Sequence, residues 1–548
     1  MSRTLVTVVV LLQCAALLWV CVLVGDNGWD DGAITLAFAR TFARHGRIAL
    51  TPGSEVVEGF SSISWFLLNA LAALGRPSFR AAILISQLLS VASIGASTVL
   101  LARSCALLRL DRLFSTLTVV GFAAWGCSFS EAANGMEMGL LAAAGLLVIN
   151  ELLSPEPRLS LLSGGVVLAI TTRFEAVLYV GLFAVAVSFV PGRRAFRAIV
   201  ISALATVAVL SAFRLALFSD ILPNTFWAKR WPPYAAFSLG DRWAGGKELL
   251  RFFKLPLLAL GIAVLSDFGL ARALRSRRQA LTVLVAPILG AVVMGVVTGR
   301  HWGYPGRMPY FAFPPTLLLL SLLFSNWAST GRYRPLRAAL AAGSLVWAVW
   351  TSRAQFPHDW LAVARNGTFD VTPRSFAESG QVFRRFAAAA DLPHPVLLTS
   401  DVGGLALCCD EFRIVDLAFL SNRTLAHRGP AAIGSVVETE SPDLIEAHWE
   451  WPAVGKLYEA PSFHDRYAPA FASGTKLWVR RDVGERIVRA GRGCWVPLRR
   501  DDVRRATQID RYARFELPED RQRFETPGVI LALDETELGG ANLCRPLN

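Results

Sequence analysis

Five acids, Asp26, Asp30, Asp31, Glu55 and Glu58, lie between Gly25 and Trp65 in the stretch GDNGWDDGAITLAFARTFARHGRIALTPGSEVVEGFSSISW, and long apolar runs come within a few residues on either side. A carboxylate at the edge of a bilayer is costly unless it is solvated, paired or engaged in chemistry. The adjacent Asp30 and Asp31 head an amphipathic stretch, 33–45, in which Ile34, Leu36, Phe38 and Phe42 are apolar and Arg40, Arg44 and His45 polar. An acid at that position caps a helix and suits its dipole. Capping accounts for one aspartate, not for two, nor for Glu58 further on. Asp31 fits either role, and Asp30 is read as a chemical group. A carboxylate within hydrogen-bond reach of a substrate hydroxyl serves as a general base.

Four other segments carry matching groups. EAANGMEM, 131–138, puts Glu137 directly ahead of an apolar run, where it also suits a cap. TRFE, 172–175, carries Arg173 beside Glu175, equally readable as an ion pair holding a hairpin. LPNTFWAKR, 222–230, offers Asn224, Trp227, Lys229 and Arg230. GRHWGYPGRMP, 299–309, offers Arg300, His301, Trp302 and Arg307. Trp227, Trp302 and Tyr304 also suit anchors at a membrane interface. Carboxylates from one loop facing cations from others are what a sugar transfer from a lipid phosphate needs. The acceptor hydroxyl loses its proton to a carboxylate as it attacks the anomeric carbon. The departing phosphate needs charge stabilisation, which Arg or Lys supplies. Asp30 and Asp31 are therefore the catalytic candidates, and Lys229, Arg230, Arg300 and Arg307 the candidates for the donor phosphate. Glu58, Asn224, Trp227, His301, Trp302, Glu137 and Arg173 are candidates for holding the remaining parts of the substrates.

The elements that must position these groups are membrane helices. Of the 548 residues, 53% are hydrophobic and only 18% charged, and the mean hydropathy is +0.44, which excludes an ordinary soluble enzyme. The net charge of +13 comes from short arginine clusters between apolar runs, not from a basic stripe interleaved with aromatics, so nucleic acid is not the partner. The first apolar run, 5–24, lacks a small-residue cleavage site and reads as an uncleaved span. Further spans are expected at 79–102, 113–129, 138–153, 159–171, 176–190, 198–218, 252–270, 280–298, 310–324 and 336–350. That makes about eleven, within a range of about ten to thirteen. With a cytoplasmic N-terminus, the inner loops carry Arg103, Arg109 and Arg112, then Arg193, Arg194 and Arg197, then Arg272, Arg275, Arg277 and Arg278, then Arg332, Arg334 and Arg337. This is the positive-inside pattern, and it puts the acidic loop, 25–78, on the outer face. An odd number of spans puts the C-terminal part outside too.

A transmembrane domain, 1–353, is thus followed by an extracytoplasmic domain, 354–548, of mixed composition. Within it PVLLTSD, FRIVDLAFL and LWVRR read as buried strands, VGGL as a turn and SPDLIEAHW as a helix start, giving a small α/β domain. Cys408, Cys409, Cys494 and Cys544 leave room there for one disulfide, its pairing open. No Cys/His spacing reads as a zinc site.

The stretch DDGAITLAFARTFARHGRIALTPGSEVVEGFSSISW, with NGMEMGL, TRFEAV, LPNTFWAK, PGRMPYFAFP and, more loosely, SDVGGLALCC and FRIVDLAFL, resembles GT-C glycosyltransferases related to the terminal β-(1→2) arabinofuranosyltransferase of actinobacterial cell walls. The resemblance implies a polytopic GT-C bundle with amphipathic helices in its first outer loop. It also implies an α/β domain over an outward-facing site in a bacterial plasma membrane. The expected reaction is an inverting transfer, with arabinofuranose as the leading sugar, from a polyprenyl-phosphate donor to an envelope glycan or glycolipid. The base lies among Asp30 and Asp31. No cofactor is called for, and a divalent cation stays compatible. Where many relatives carry Gly-Asp-Trp ahead of the late proline-rich span, this chain has Arg300-His301-Trp302, a potential cation in place of an acid. Two other readings remain in view. A transporter or flippase of lipid-linked sugars calls for charges inside spans and paired half-helices, and a glycan-binding scaffold would leave Asp30 and Asp31 dispensable.

Overall fold

The computed structural model describes residues 1–188, 193–232, 234, 240, 277–298, 307, 309–329, 334–353, 371–446, 451–454, 457, 461–471, 477–499 and 525–531. Apolar residues on every side make its first part a membrane bundle. Leu11, Leu12 and Val22 of α1 (Arg3–Val24) and Ile201, Leu204 and Val209 of α10 (Arg193–Phe218) face outward, as lipid permits and water does not. Among the described residues six helical segments are long and apolar enough to cross a membrane: α1, α4 (Phe79–Leu107), Arg112–Asn134, most of α10, and segments over Arg278–Val296 and Tyr310–Ala328. The chain is a multi-pass membrane protein. Shorter apolar helices include α7 (Met138–Leu153), α8 (Leu159–Thr172), α9 (Ala176–Ser188) and a segment over Pro335–Val346. Each expected span falls on one of these helices except 252–270, which lies outside the described residues.

Two local departures have physical causes. The run expected at 113–129 is interrupted, α5 (Arg112–Ala123) giving way to α6 (Gly126–Asn134). At the break Trp125 turns inward and stacks on Phe313 at 3.8 Å. The loop over 25–78 contains an apolar helix that the acidic motifs overshadow, α3 (Ile63–Ala73), capped by the Ser62 hydroxyl, which accepts from Trp65 N–H at 3.2 Å. Its Leu67 and Leu71 point outward. The expected amphipathic helix is present as α2 (Asp31–His45).

The C-terminal part is a seven-stranded mixed sheet flanked by helices, ordered β2-β1-β3-β5-β4-β7-β6. The strands are β1 (Val396–Thr399), β2 (Arg413–Asp416), β3 (Leu444–Glu446), β4 (Tyr467–Phe471), β5 (Leu477–Arg480), β6 (Gly493–Arg499) and β7 (Glu525–Leu531). PVLLTSD, FRIVDLAFL and LWVRR supply β1, β2 and β5, as expected. VGGL, expected as a turn, opens the helix Gly403–Cys408 instead. The strands it joins are parallel, so the connection must cross over rather than reverse. SPDLIEAHW does not start a helix: its Leu444–Glu446 is the buried strand β3, paired parallel to β1. Cys494 is disulfide-bonded, while Cys408 and Cys409 are free thiols.

Strand alternation decides how this sheet sits on the bundle. Leu397, Ile414 and Leu444 face one side and share a core with Leu36 and Phe38 of α2. Leu398, Val415 and Ile445 face the other and share a core with Ala228 of α11 (Asn224–Ala228). The sheet is therefore gripped by two loops of the membrane part, one on each face.

Candidate active site

The acidic loop reaches its place through close backbone approach. Trp29 N–H donates to Asn134 Oδ1 at 2.8 Å, and a Cβ on Gly32 would meet the Asn134 carbonyl oxygen at 2.3 Å, so only glycine lets α2 settle there. Gly135, at φ +59°, turns the chain between Asn134 and Glu137, and its carbonyl accepts from Ser86 Oγ at 2.8 Å and Trp65 Nε1 at 3.1 Å. Asp31 and Glu137 are thereby brought to the same wall.

A continuous ionic network runs along that wall. Arg307 Nη1 donates to Asp31 Oδ2 at 2.7 Å, and its Nη2 lies 3.7 Å from Glu137 Oε1. Arg173 Nη1 donates to the same Glu137 oxygen at 2.7 Å and its Nε to Glu175 Oε1 at 2.8 Å. Burial alone would raise the Glu137 carboxyl, but the Arg173 and Arg307 guanidiniums outweigh it and hold it below the usual range. The same contest, won by Arg173 and then Lys229, brings Glu175 down to about 2. Lys229 makes no ion pair with a described residue. Its side chain is open to water at the edge of this network. Loss of hydration among the neighbouring protein groups first, and then the Arg173 charge, bring its ammonium down to about 8. Asp31, 35% exposed at its side chain, lies at the accessible end of the same network.

Asp30 has a different setting. It precedes α2 without capping it; instead its two carboxyl oxygens accept from Gly403 N–H at 2.9 Å and Gly404 N–H at 2.7 Å. Burial, helped by the Asp401 charge, pushes the Asp30 carboxyl up to about 8 against the pull of those two amides. At the far end of the same short helix, Arg40 of α2 donates to the carbonyls of Ala406, at 2.7 Å, and Leu407. The Gly403–Cys408 helix is thus held at both ends, by Asp30 just ahead of α2 at its amino end and by Arg40 of α2 at its carboxyl end, where its dipole favours a cation.

The remaining sequence candidates divide. Glu58 is turned away into a buried bidentate pair with Arg214 of α10, Oε2 to Nε at 2.6 Å and Oε1 to Nη2 at 2.9 Å. Arg214, which position alone would let snorkel to the interface, is instead buried over the Phe174 ring at 5.0 Å. Asn224 Nδ2 donates to the Leu420 carbonyl at 2.8 Å and ties α11 to the sheet domain. Trp227 stacks on His427 at 4.9 Å and donates to Asp220 at 3.1 Å, so it serves this junction and not a lipid interface. Arg230 lies over the Trp227 ring at 5.2 Å. Arg300, His301 and Trp302 lie outside the described residues. Among the described residues no three His, Cys, Asp or Glu groups come together as metal ligands, so the divalent cation kept open by the sequence finds no cage there.

Glu175 pairs with Arg173, as the ion-pair reading of TRFE expects. Two further groups beside this network carry no mark in the sequence. Asp401 follows β1 and is half-buried; its charge acts on Asp30 and on Tyr234. Tyr234, whose hydroxyl donates to the Ala418 carbonyl at 3.1 Å, is held well above its usual range by burial and by the charges of Asp416, Asp31 and Asp401. Nothing in its sequence neighbourhood announces it.

No protein-family model and no curated protein matches the chain. Solved structures do. The oligosaccharyltransferase of Archaeoglobus fulgidus, tethered with an acceptor peptide, superposes with a TM-score of 0.52 at 9% identity, covering 86% of this chain and 74% of its own. ArnT from Cupriavidus metallidurans, bound to undecaprenyl phosphate, superposes with a TM-score of 0.50 at 14% identity, covering 86% and 97%. At such identities the likeness is one of fold, and the chain shares with them a polytopic helical bundle that carries, here, a C-terminal sheet domain.

Proposed function

We propose that the protein is an inverting glycosyltransferase that moves a sugar from a polyprenyl-phosphate donor to a hydroxyl of an envelope glycan or glycolipid on the outer face of a bacterial plasma membrane. Arabinofuranose is the sugar favoured by the motif resemblance. The observation that carries the reading is the ionic network in which Arg307 and Arg173, with the accessible Lys229 alongside, gather next to the part-exposed carboxylate of Asp31. ArnT, a protein of the same fold, is bound to undecaprenyl phosphate, an anion whose charge the ammonium of Lys229 suits.

In this reading Asp31 is the base. It accepts the proton of the acceptor hydroxyl as that oxygen attacks the anomeric carbon, and the bond from that carbon to the phosphate oxygen breaks on the opposite side. The lipid phosphate leaves with one more negative charge than it carried as the sugar ester, and the cations hold that charge. Asp30, with both oxygens engaged by glycine amides, holds the sheet domain over the site. Glu137 and Glu175 hold Arg173 in place.

Purified protein in lipid vesicles, given radiolabelled polyprenyl-phosphoryl arabinofuranose and an arabinan acceptor, should transfer label, and Asp31→Asn should lower kcat by about a thousandfold while donor binding persists. Label crossing the bilayer without transfer would instead identify a flippase. Unchanged transfer in Asp31→Asn would remove it as the base.

A further inference from the structure

Within the network Asp31–Arg307–Glu137–Arg173–Glu175, with Lys229 alongside, three acids meet three bases. A lipid phosphate entering it must take cations from their present partners. Lys229 is unpaired among the described residues and open to water, so it meets the anion first. Arg173 cannot follow, because it is only 4% exposed at its side chain and gripped by Glu137 and Glu175. Arg307 can. Its side chain is 13% exposed, its contact with Glu137 is long at 3.7 Å, and its close partner, Asp31, is accessible enough to be solvated when released. A carboxylate oxygen already taken up by a guanidinium N–H is not placed to accept a hydrogen bond from a substrate hydroxyl.

We infer that Arg307 is a substrate-operated mask on the catalytic carboxylate: in the empty site it neutralises Asp31, and an anionic lipid phosphate docked on Lys229 draws it away, so that the base is released only when a donor is present. The inference rests on the reading of this network as a lipid-phosphate transferase site. During transfer the proton passes from the acceptor hydroxyl to Asp31, the new glycosidic bond forms, and the phosphate gains a charge as its bond to the sugar breaks. Arg307 is pulled further from Asp31 at the moment the proton arrives. An unaccompanied acceptor, or water, finds the carboxylate occupied.

The test needs no turnover. The full-length protein in lipid nanodiscs is treated with a water-soluble carbodiimide and an amine, and modification of Asp31 is read by peptide mass spectrometry with and without undecaprenyl phosphate. Binding of that lipid is measured in parallel, on the wild type and on Lys229→Ala. The lipid should raise Asp31 labelling about three- to fivefold, the scale of releasing a partly exposed ion pair. Arg307→Gln should show the raised labelling without lipid and no further response. Arg307→Lys, which keeps the charge with less disturbance to packing, should restore masking in part. Lipid that binds through Lys229 but leaves Asp31 labelling unchanged overturns the mask and spares the transferase reading. Lipid that does not bind at all overturns the reading of the network, and the mask with it.

Discussion

Asp30 and Asp31 are neighbours in the chain with different surroundings, and the difference comes from partners that no local reading can supply. Asp31 meets Arg307, 276 residues away in sequence; Asp30 meets the amides of Gly403 and Gly404. The pair was legible as important, but its division of labour was not. Lys229 gives the site a pH signature. Its ammonium is charged below about 8 and neutral above, so on the alkaline side kcat/KM for the donor should fall about tenfold per pH unit beyond that point. Lys229→Arg should abolish the fall, and a fall that persists would assign it to another group. Glu58 and Arg214 are both nearly inaccessible, at 2% and 3% of their side chains. Removing one leaves the other buried and uncompensated, so Glu58→Ala should cost about 3–5 kcal/mol, read as thermal unfolding in detergent, and Glu58→Met with Arg214→Leu should recover much of that loss.

At the scale of elements, α2 emerges as a bracket more than a carrier of catalysts. Its amphipathic pattern was plain in the sequence, and so were nearly all the apolar helices, because lipid-facing runs leave a signal that depends on composition alone. The strands of the sheet domain were legible where they were apolar and four residues long, as in β1, β2 and β5. They were not at β3, where Leu444–Glu446 is three residues ending in an acid whose carboxylate accepts from Thr399 Oγ1 at 2.8 Å. The bracket itself is testable. Asp30→Ala or Arg40→Ala each frees one end of the Gly403–Cys408 helix, and the sheet domain of either variant should be cut faster by a soluble protease than that of the wild type. Asp31→Asn, which touches neither end, should leave the digestion rate as it was.

For the molecule as a whole, the loops carrying Asp31, Glu137, Arg173, Lys229 and Arg307 converge at one end of the bundle. Glu151, bound by Arg103 at 3.1 Å, lies on the far end of α7 from Glu137. If the convergent end faces out, a membrane-impermeant maleimide added to intact cells should label Arg428→Cys in the sheet domain and spare Glu156→Cys in the turn between α7 and α8. The reverse pattern would move the whole site to the cytoplasm. One further consequence follows from the two cores that the sheet shares with α2 and α11. Neither half is a detachable module: the sheet domain produced alone would carry oily surfaces meant for membrane loops, and the bundle produced alone would bare the apolar loop faces that the sheet now covers. Exchanging this domain between related chains should therefore succeed only when both gripping loops travel with it.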